Sequence, residues 1–197
     1  MKIRRATEAD YPFMRDIYAA YVNNTTASFE YDSPTKKQFT ARMKALELDF
    51  PILVADDDNK IVGYVYADKL FTREAYRWNA EISIYIAQGR TGQGIGRALE
   101  TAEAAILKAL GFKRIYALIT TENERSIAFH RARGYRDAAY FDAQGYKFNR
   151  TLSVNWLKKE LNGDEVYIKA PTRLAVFLAT EDGRTRFQDI LDNAFNE

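Results

Sequence analysis

A glycine-rich turn between a strand pattern and a helix pattern carries the clearest chemistry in the sequence. The strand pattern covers residues 81–86, and an amphipathic helix pattern begins at about residue 95. The residues between and at the start of the helix are Gly92, Gln93, Gly94, Ile95, Gly96 and Arg97. A turn with few side chains leaves backbone N–H groups free at the positive end of a helix, where they bind phosphate. The spacing therefore predicts a ligand that contains phosphate.

Two common phosphate motifs do not fit this turn. A GxGxxG turn would need a third glycine where Arg97 stands, and a P-loop would need a Gly-Lys-Ser/Thr triplet, which does not occur. The turn, with its strand and helix, instead resembles the pyrophosphate loop of the GNAT N-acetyltransferases. Thr91 stands where that pattern usually has Arg or Gln, and Arg90 comes one residue earlier. The resemblance implies acetyl-CoA as the ligand.

Glu81 is the candidate base for acetyl transfer to an amine. The amine must lose a proton, the oxyanion needs a hydrogen-bond donor, and the departing thiolate benefits from a proton. Glu81 lies on the polar face of the strand, where its carboxylate can accept the proton of the amine directly or through water. The alternative interpretation is a solvated glutamate on the face of a strand.

His130 and Asn123 belong to a short helix pattern that ends before Gly134. GNAT enzymes often have a tyrosine at the position of His130 to protonate the thiolate, and an imidazole has a suitable pKa for that role. The alternative is a histidine that interacts with the end of the helix dipole. Asn123 begins the helix, and it can cap it, bind the pantetheine arm, or do both.

The periodicity predicts an α/β (α+β) protein with the element order βααβββαβαββ, which is that of the GNAT fold: a mixed, mostly antiparallel sheet flanked by helices. The first helix is predicted from the spacing of Phe13, Ile17 and Tyr21, and the second from Ser33 as cap and Pro34 as first helical residue. The last two strands are predicted to join through Ala143, Gln144 and Gly145.

The chain divides by pattern into a domain over residues 1–161 and a C-terminal extension over residues 162–197. The boundary falls at Asn162-Gly163-Asp164. The extension contains an apolar run at residues 174–178 and a helix pattern with Phe187, Ile190, Leu191 and Phe195. The sequence does not assign this extension a role.

Composition limits the remaining classes of function. The chain has 197 residues with a net charge of +2, no cysteine and one histidine. We therefore expect no thiolate or histidine-rich metal site, no cysteine nucleophile and no nucleic-acid partner. The N-terminus lacks the apolar run of a signal peptide and no stretch reaches membrane-spanning length, so we expect a cytoplasmic protein without a membrane partner.

A closer resemblance is to the phosphinothricin and methionine sulfoximine N-acetyltransferases, over roughly residues 2–161. It rests on three segments: Arg73-x-Ala75-Tyr76-Arg77-Trp78-x-x-Glu81-x-Ser83-x-Tyr85-Ile86, His130-Arg131-Ala132-Arg133-Gly134-Tyr135, and Gly145-Tyr146-Lys147-Phe148. It implies direct acetylation of the amine of a small amino acid or analogue, with Glu81 as base, and a homodimer. The implied acetyl-CoA site contains Ile84, Tyr85, Ile86, the six residues of the turn and Asn123. The implied substrate site contains Phe71, Thr72, Arg73, Glu81, Ile82 and Ser83.

Arg73 suits a substrate carboxylate because a guanidinium binds it through two hydrogen bonds, although an arginine in a polar loop is usually only solvated. After Phe148 the family continues Gly-Arg-Trp-x-Asp, whereas this chain has Asn149-Arg150-Thr151-Leu152-Ser153. Charge and volume therefore differ near the acceptor. Two other hypotheses remain open: acetylation of a peptide or protein amine, and an acyl-CoA-binding module without catalysis.

Overall fold

A computed structural model describes residues 1–163 and 169–196, which form a seven-stranded sheet with helices packed on it. The strands are β1 (Lys2–Arg5), β2 (Ile52–Asp57), β3 (Lys60–Lys69), β4 (Asn79–Ile86), β5 (Arg114–Thr120), β6 (Arg136–Lys147) and β7 (Arg150–Glu160). The helices are α1 (Tyr11–Asn24), α2 (Lys36–Leu46), α3 (Ile95–Leu110), α4 (Glu124–Ala132), α5 (Leu174–Leu178) and α6 (Glu181–Asn193).

The order of elements confirms the predicted fold class. Strands follow one another across the sheet as β1-β2-β3-β4-β5-β7-β6, so the last strand inserts between β5 and β6. β4 and β5 are parallel, while the other neighbouring pairs of this sheet are antiparallel. A parallel pair needs a crossover connection, and α3 supplies it. The sheet is therefore mixed and mostly antiparallel, as the sequence predicts.

β4 and β5 separate soon after they meet. Their register covers three pairs, Asn79 with Arg114, Ala80 with Ile115 and Glu81 with Tyr116. Past Glu81, the remainder of β4 stays paired with β3 on its other side, up to Gly63 opposite Ile86. The sheet therefore opens into a gap between two neighbouring strands, and the backbone of β4 lines one wall of it.

Helix α3 is held against the sheet by an almost continuous buried surface. Leu99, Ile106 and Leu107 are fully buried in the main hydrophobic cluster. The helix begins after Gly94 and ends before Gly111, both with positive φ (77° and 95°). Only glycine adopts this conformation without strain, so the two residues fix both ends of the helix. The start at Ile95 matches the prediction.

The first two helices form where the sequence predicts them, with two local differences. In α1 the buried residues are Tyr11, Met14, Tyr18 and Val22, while Phe13 is exposed. In α2 the cap is Thr35, whose hydroxyl accepts from the N–H of Gln38, so the prediction of Pro34 as first helical residue is wrong. Thr35 and Gln38 bond each other reciprocally, and this capping box outweighs the preference of proline for the first position.

The prediction of a turn at Ala143, Gln144 and Gly145 is also wrong. These residues lie inside β6, where the ladder with β7 is irregular between Phe141 and Gly145. The turn instead consists of Phe148 and Asn149, both with positive φ (53° and 59°). Gly145 has a packing reason, because a Cβ there would lie 2.2 Å from the ring of Phe29.

The C-terminal extension packs on the outside of α3 and β1. Leu174, Phe187 and Leu191 are buried in the same hydrophobic cluster as the sheet and α3. Asp164, the last residue of the predicted boundary, lies outside the described residues. Among the described helices, none has the length and apolar character needed to cross a bilayer.

Candidate functional site

The gap between β4 and β5 widens into a cavity of about 520 Å³ that we call the donor cavity. Its walls come from both strands, from the glycine-rich turn and from α4. Of the predicted acetyl-CoA residues, the cavity is lined by Ile84, Tyr85, Ile86, Gly92, Gly94, Ile95, Gly96, Arg97 and Asn123. Gln93 does not line it. The structure therefore brings together nine of the ten residues around one elongated space.

The turn exposes backbone N–H groups to this cavity. Gly92 and Gly94 have positive φ (82° and 77°), and no side chain caps α3. The first intrahelical bond runs from the N–H of Ala98 to the carbonyl of Gly94, so the N–H groups of residues 95–97 precede the ladder of the helix. Such groups, at the positive end of a sixteen-residue helix, fit a pyrophosphate.

Arg90 and Gln93 support this turn from outside. The guanidinium of Arg90 donates to Asp57 at 2.5 Å and to the side-chain carbonyl of Gln93 at 3.1 Å. Arg90 also lines the donor cavity. Arg90 therefore ties the turn to the β2–β3 hairpin, and Gln93 contributes through its bond to Arg90 rather than by lining the cavity.

The backbone of β4 offers hydrogen bonds along the gap. Since Ala87 donates to Val62 of the β2–β3 side, the alternation of an antiparallel ladder directs the polar groups of Ile84 and Ile86 away from β3. At Ile86 both groups are already paired with Tyr21: the hydroxyl donates to the carbonyl at 2.7 Å and accepts from the N–H at 3.2 Å. Ile84 therefore has the backbone groups that best fit a pantetheine amide.

A second cavity of about 750 Å³, which we call the acceptor cavity, lies beside the first. Seven aromatic residues line it: Tyr18, Phe29, Tyr66, Phe71, Tyr85, Phe141 and Trp156. Its charged lining residues are Glu30, Arg42, Asp68 and Glu81. The two cavities meet at residues that line both, namely Ala27, Glu81, Ser83, Tyr85, Leu118 and Thr120.

Glu81 lies at this junction, and the pKa of its carboxyl group is close to neutral pH. Burial, and then the negative charge of Asp68, raise its pKa to about 7. Asp68 is the residue directly opposite Glu81 in the register of β3 and β4, where like charges repel. A carboxylate with this pKa is a stronger base than an exposed glutamate and is still ionised in a useful fraction near neutral pH.

His130 lines the donor cavity, but its ring N–H donates to the backbone of its own helix. Its Nδ1 lies 2.8 Å from the backbone carbonyl of Ser126, which can only accept, so Nδ1 carries the proton of the neutral ring. Nε2 is then an acceptor. Burial lowers the pKa of His130, which further favours the neutral ring. Protonation of a thiolate by His130 therefore requires an imidazolium that this environment disfavours.

Asn123 caps α4, as one of its two interpretations requires. Its side-chain oxygen accepts from the N–H of Ser126 at 3.2 Å. The residue also lines the donor cavity. The cap uses the oxygen of the amide, so the amide NH₂ is the part of this side chain that suits a pantetheine carbonyl.

The predicted substrate residues divide between the two cavities and the surface. Phe71 and Ser83 line the acceptor cavity, Ile82 lines the donor cavity and Glu81 lines both. Thr72 and Arg73 are exposed and line neither. They precede a short 3-10 turn over residues 74–76 that lies outside the sheet.

Tyr21, Arg42 and Trp156 line the site but were not predicted to do so. Tyr21 and Arg42 come from α1 and α2, and Trp156 comes from β7. Each reaches the site through tertiary packing over a long sequence separation. An apolar or amphipathic helix pattern contains no signal for which of its residues faces a cavity.

A glycine-rich turn at the start of a helix, a gap between parallel strands and a half-buried carboxylate at the end of that gap fit an acyl-CoA-dependent acyltransferase. The family model described as the acetyltransferase (GNAT) domain matches residues 3–156. The chain belongs to this family and is an N-acetyltransferase.

Two curated relatives are similar over most of their length. Phosphinothricin N-acetyltransferase of Alcaligenes faecalis is 34% identical over 165 residues, which cover 83% of this chain and 84% of the relative. L-methionine sulfoximine/L-methionine sulfone acetyltransferase of Pseudomonas paraeruginosa is 31% identical over 166 residues, covering 81% and 94%. The similarity to both supports the closer resemblance seen in the sequence.

Solved structures agree with this assignment. A phosphinothricin acetyltransferase from Sinorhizobium meliloti in complex with AcCoA superimposes with a TM-score of 0.80 at 33% identity, over 86% of this chain and 92% of that one. A putative acetyltransferase from Salmonella typhimurium with its cofactor acetyl-CoA gives 0.82 at 26% identity, over 85% and 97%. Both neighbours carry the ligand that the donor cavity suits.

Proposed function

We propose that the protein transfers the acetyl group of acetyl-CoA directly to the amine of a small amino acid or analogue, of the phosphinothricin or methionine sulfoximine kind. The observation that carries this proposal is the position of Glu81 where the donor and acceptor cavities meet. A base at that junction contacts the amine at the point where it faces the thioester. The names of the relatives support the same acceptor class.

The residues of the donor cavity have separate roles in this proposal. The N–H groups at the start of α3 hold the pyrophosphate, and Ile84 with the amide of Asn123 holds the pantetheine arm. Glu81 accepts the proton of the ammonium, which leaves a nucleophilic amine. Because the chain has no cysteine, transfer proceeds without a thioester on the protein. His130 then forms part of the wall of the donor cavity.

The test is release of free CoA thiol from acetyl-CoA in the presence of candidate amines. The absence of cysteine means that a thiol reagent detects only the product. We expect release with at least one of phosphinothricin, methionine sulfoximine or the natural amino acids, measured beside short peptides. If CoA is released only with peptides, the protein is instead a peptide acetyltransferase. Acetyl-CoA binding without release for any amine would favour a binding module.

We also propose a homodimer and a cytoplasmic location. The edge strand β6 and the turn after it expose Tyr140, Tyr146 and Phe148 by 51–59%, and a row of exposed aromatic residues beside an edge strand is typical of an interface. Light scattering coupled to size exclusion tests the dimer, with a monomer as the contrary result. The cytoplasmic location follows from the need for acetyl-CoA, and cell fractionation tests it.

A further inference from the structure

Beside Glu81, the acceptor cavity is lined by one fixed cation and by one group of clustered rings. The cation is Arg42 of α2, and the rings that we call the aromatic box are Phe71, Phe141 and Trp156. An α-amino acid carries a carboxylate and a side chain on either side of its amine. The cavity therefore offers one partner to each of these groups: Arg42 to the carboxylate, Glu81 to the amine and the aromatic box to the side chain.

Arg42 is held in place before any ligand arrives. Its NH2 group donates to Glu30 at 2.5 Å, and the guanidinium lies over the ring of Tyr18 at 5.9 Å from the centroid. Tyr18 is itself fixed by a hydrogen bond of 2.7 Å with the hydroxyl of Ser28, which also accepts from the N–H of Glu30. A guanidinium has five N–H donors, so those not used by Glu30 and Tyr18 remain for a ligand.

Arg42 stays accessible although it is paired. The side chains of Arg42 and Glu30 keep 36% and 34% of their surface exposed. Among the described residues that line the acceptor cavity, Arg42 is the one with a positive charge. Arg73, the cation that the sequence pattern favours for a carboxylate, does not line it. An acceptor carboxylate in this cavity therefore finds its cation at Arg42.

The remaining charges disfavour a second anionic group. The remaining donors of Arg42 can bind one acceptor carboxylate, whereas Glu30, Asp68 and Glu81 are acidic. A phosphinate or carboxylate on the side chain of the acceptor would meet these acids without a further cation from the described lining. The zwitterion of an amino acid with an uncharged side chain avoids this cost.

The aromatic box offers an apolar surface to that side chain. Phe71 stacks on Trp156 with centroids 5.8 Å apart, and Phe141 contacts the same indole at 5.3 Å. Phe71 and Phe141 keep 44% and 39% of their surface exposed, so burial against a ligand removes apolar area from water. An aromatic side chain suits such a surface, because rings pair with one another edge to face or in offset stacks.

We propose, resting on the acetyltransferase function above, that the acceptor is an α-amino acid with an uncharged aromatic side chain, whose carboxylate binds Arg42 and whose ring enters the aromatic box. Glu30 acts as a positioning residue for Arg42. Within the small amino acids and analogues of the proposed function, this narrows the acceptor to those without an acidic side chain, so phosphinothricin itself, with its phosphinate, is a poorer acceptor.

Paired substrates test the role of Arg42. Phenylalanine and phenethylamine differ only in the carboxylate, so they form a double-mutant cycle with Arg42→Gln. We expect Arg42→Gln to lower kcat/KM for phenylalanine by about 10- to 100-fold, as for loss of a charged hydrogen bond, and for phenethylamine by less than about threefold. Lys44→Gln removes a charge from the exposed side of the same helix, and we expect it to change neither value.

Three outcomes overturn the proposal. One is an equal effect of Arg42→Gln on both amines, and another is a carboxylate-dependent loss in Arg73→Gln with none in Arg42→Gln. The third is faster turnover of glutamate or phosphinothricin than of phenylalanine by the unchanged enzyme. In each of these cases CoA release still occurs, so the proposed function stands. Failure of every amine would instead remove the proposed function.

A second variant keeps the test valid if Arg42→Gln does not fold. Glu30→Gln keeps a side-chain oxygen that accepts from Arg42, so Arg42 stays positioned, and it removes the charge that competes with the acceptor carboxylate. We expect a lower KM for phenylalanine and an unchanged KM for phenethylamine. Equal shifts for the two amines would contradict the assignment of Arg42.

Discussion

At the scale of single residues, Glu81 and Asp68 determine how the rate depends on pH. A raised pKa means that the carboxylate of Glu81 is protonated and inactive as a base below about 7, and ionised and active above it. We therefore expect kcat/KM to rise with pH through about 7 to a plateau.

In Glu81→Gln we expect kcat to fall by about 10²- to 10⁴-fold, with acetyl-CoA binding by calorimetry nearly unchanged. Loss of that binding would contradict the role of Glu81 as base.

Asp68 supplies a way to move this profile without removing the base. Asp68→Asn deletes the negative charge opposite Glu81, so the pKa of Glu81 falls and the inflection moves to lower pH. Asp58→Asn, a change of the same kind in the exposed β2–β3 turn, leaves the inflection in place. A profile of Asp68→Asn that coincides with the unchanged enzyme would show that another group titrates.

His130 tests whether the thiolate needs a protein acid. Because its proton faces Ser126 and burial favours the neutral ring, we expect His130→Gln to lower kcat by less than about tenfold, below the range usual for a general acid. Thermal unfolding of the same variant provides the control for packing. A loss of about 10²-fold or more in a stably folded variant would restore His130 as the acid.

At the scale of elements, Lys147 connects the end of β6 to the segment that follows α1. Its buried ammonium donates to the carbonyls of Val22, Thr25 and Ser28 at 2.7, 3.0 and 2.7 Å. This segment carries Ala27, which lines both cavities. The ammonium thus positions part of the active site from a distant strand.

Lys147→Met keeps the length of the side chain and removes the three hydrogen bonds. Because it leaves two buried carbonyls and one part-buried carbonyl without their donor, we expect the free energy of unfolding to fall by about 3 kcal/mol, measured by urea denaturation. Lys37→Met on the exposed face of α2 is the matched control, with an expected change within about 0.5 kcal/mol. Equal changes in the free energy of unfolding for the two substitutions would contradict the structural role of Lys147.

Local patterns predict the part of the site that is built from one stretch of chain. β4, the glycine-rich turn and α3 follow one another in sequence, and period, glycine spacing and caps specify each of them. The gap beside β4 depends instead on where β5 leaves it, and Arg42 reaches the cavity from the border of the face of α2 that Phe39 and Met43 bury. The predicted position of the β6–β7 turn is wrong because a glycine in a strand pattern usually indicates a bend. Gly145 instead lies within β6 and leaves space for the ring of Phe29.

At the scale of the whole molecule, α3 holds a carboxyl group that contributes to no described interaction network. Both oxygens of Glu103 are buried and have no hydrogen-bond partner, while Glu100 one turn earlier binds Arg133 and Lys159. Burial raises the pKa of Glu103 well above its ordinary value. Folding therefore keeps this carboxyl protonated over a pH range in which the unfolded chain releases the proton.

This difference makes the stability of the whole fold depend on pH. Above the unfolded pKa the cost of keeping Glu103 protonated grows by about 1.4 kcal/mol per pH unit until the folded pKa is reached. We expect Glu103→Gln to gain stability relative to the unchanged protein as pH rises from about 5 to about 8, measured by urea denaturation. Glu124→Gln on the surface provides the comparison, and a gain that does not vary with pH would contradict this account.

The junction of the two cavities also fixes the form of the rate law. Donor and acceptor share the residues around Glu81, yet each has its own lining beyond them, so one substrate does not occupy the entry of the other. Both can therefore be bound at once before either product departs. Reciprocal plots of velocity at several fixed acceptor concentrations are accordingly expected to intersect, and CoA is expected to inhibit competitively against acetyl-CoA.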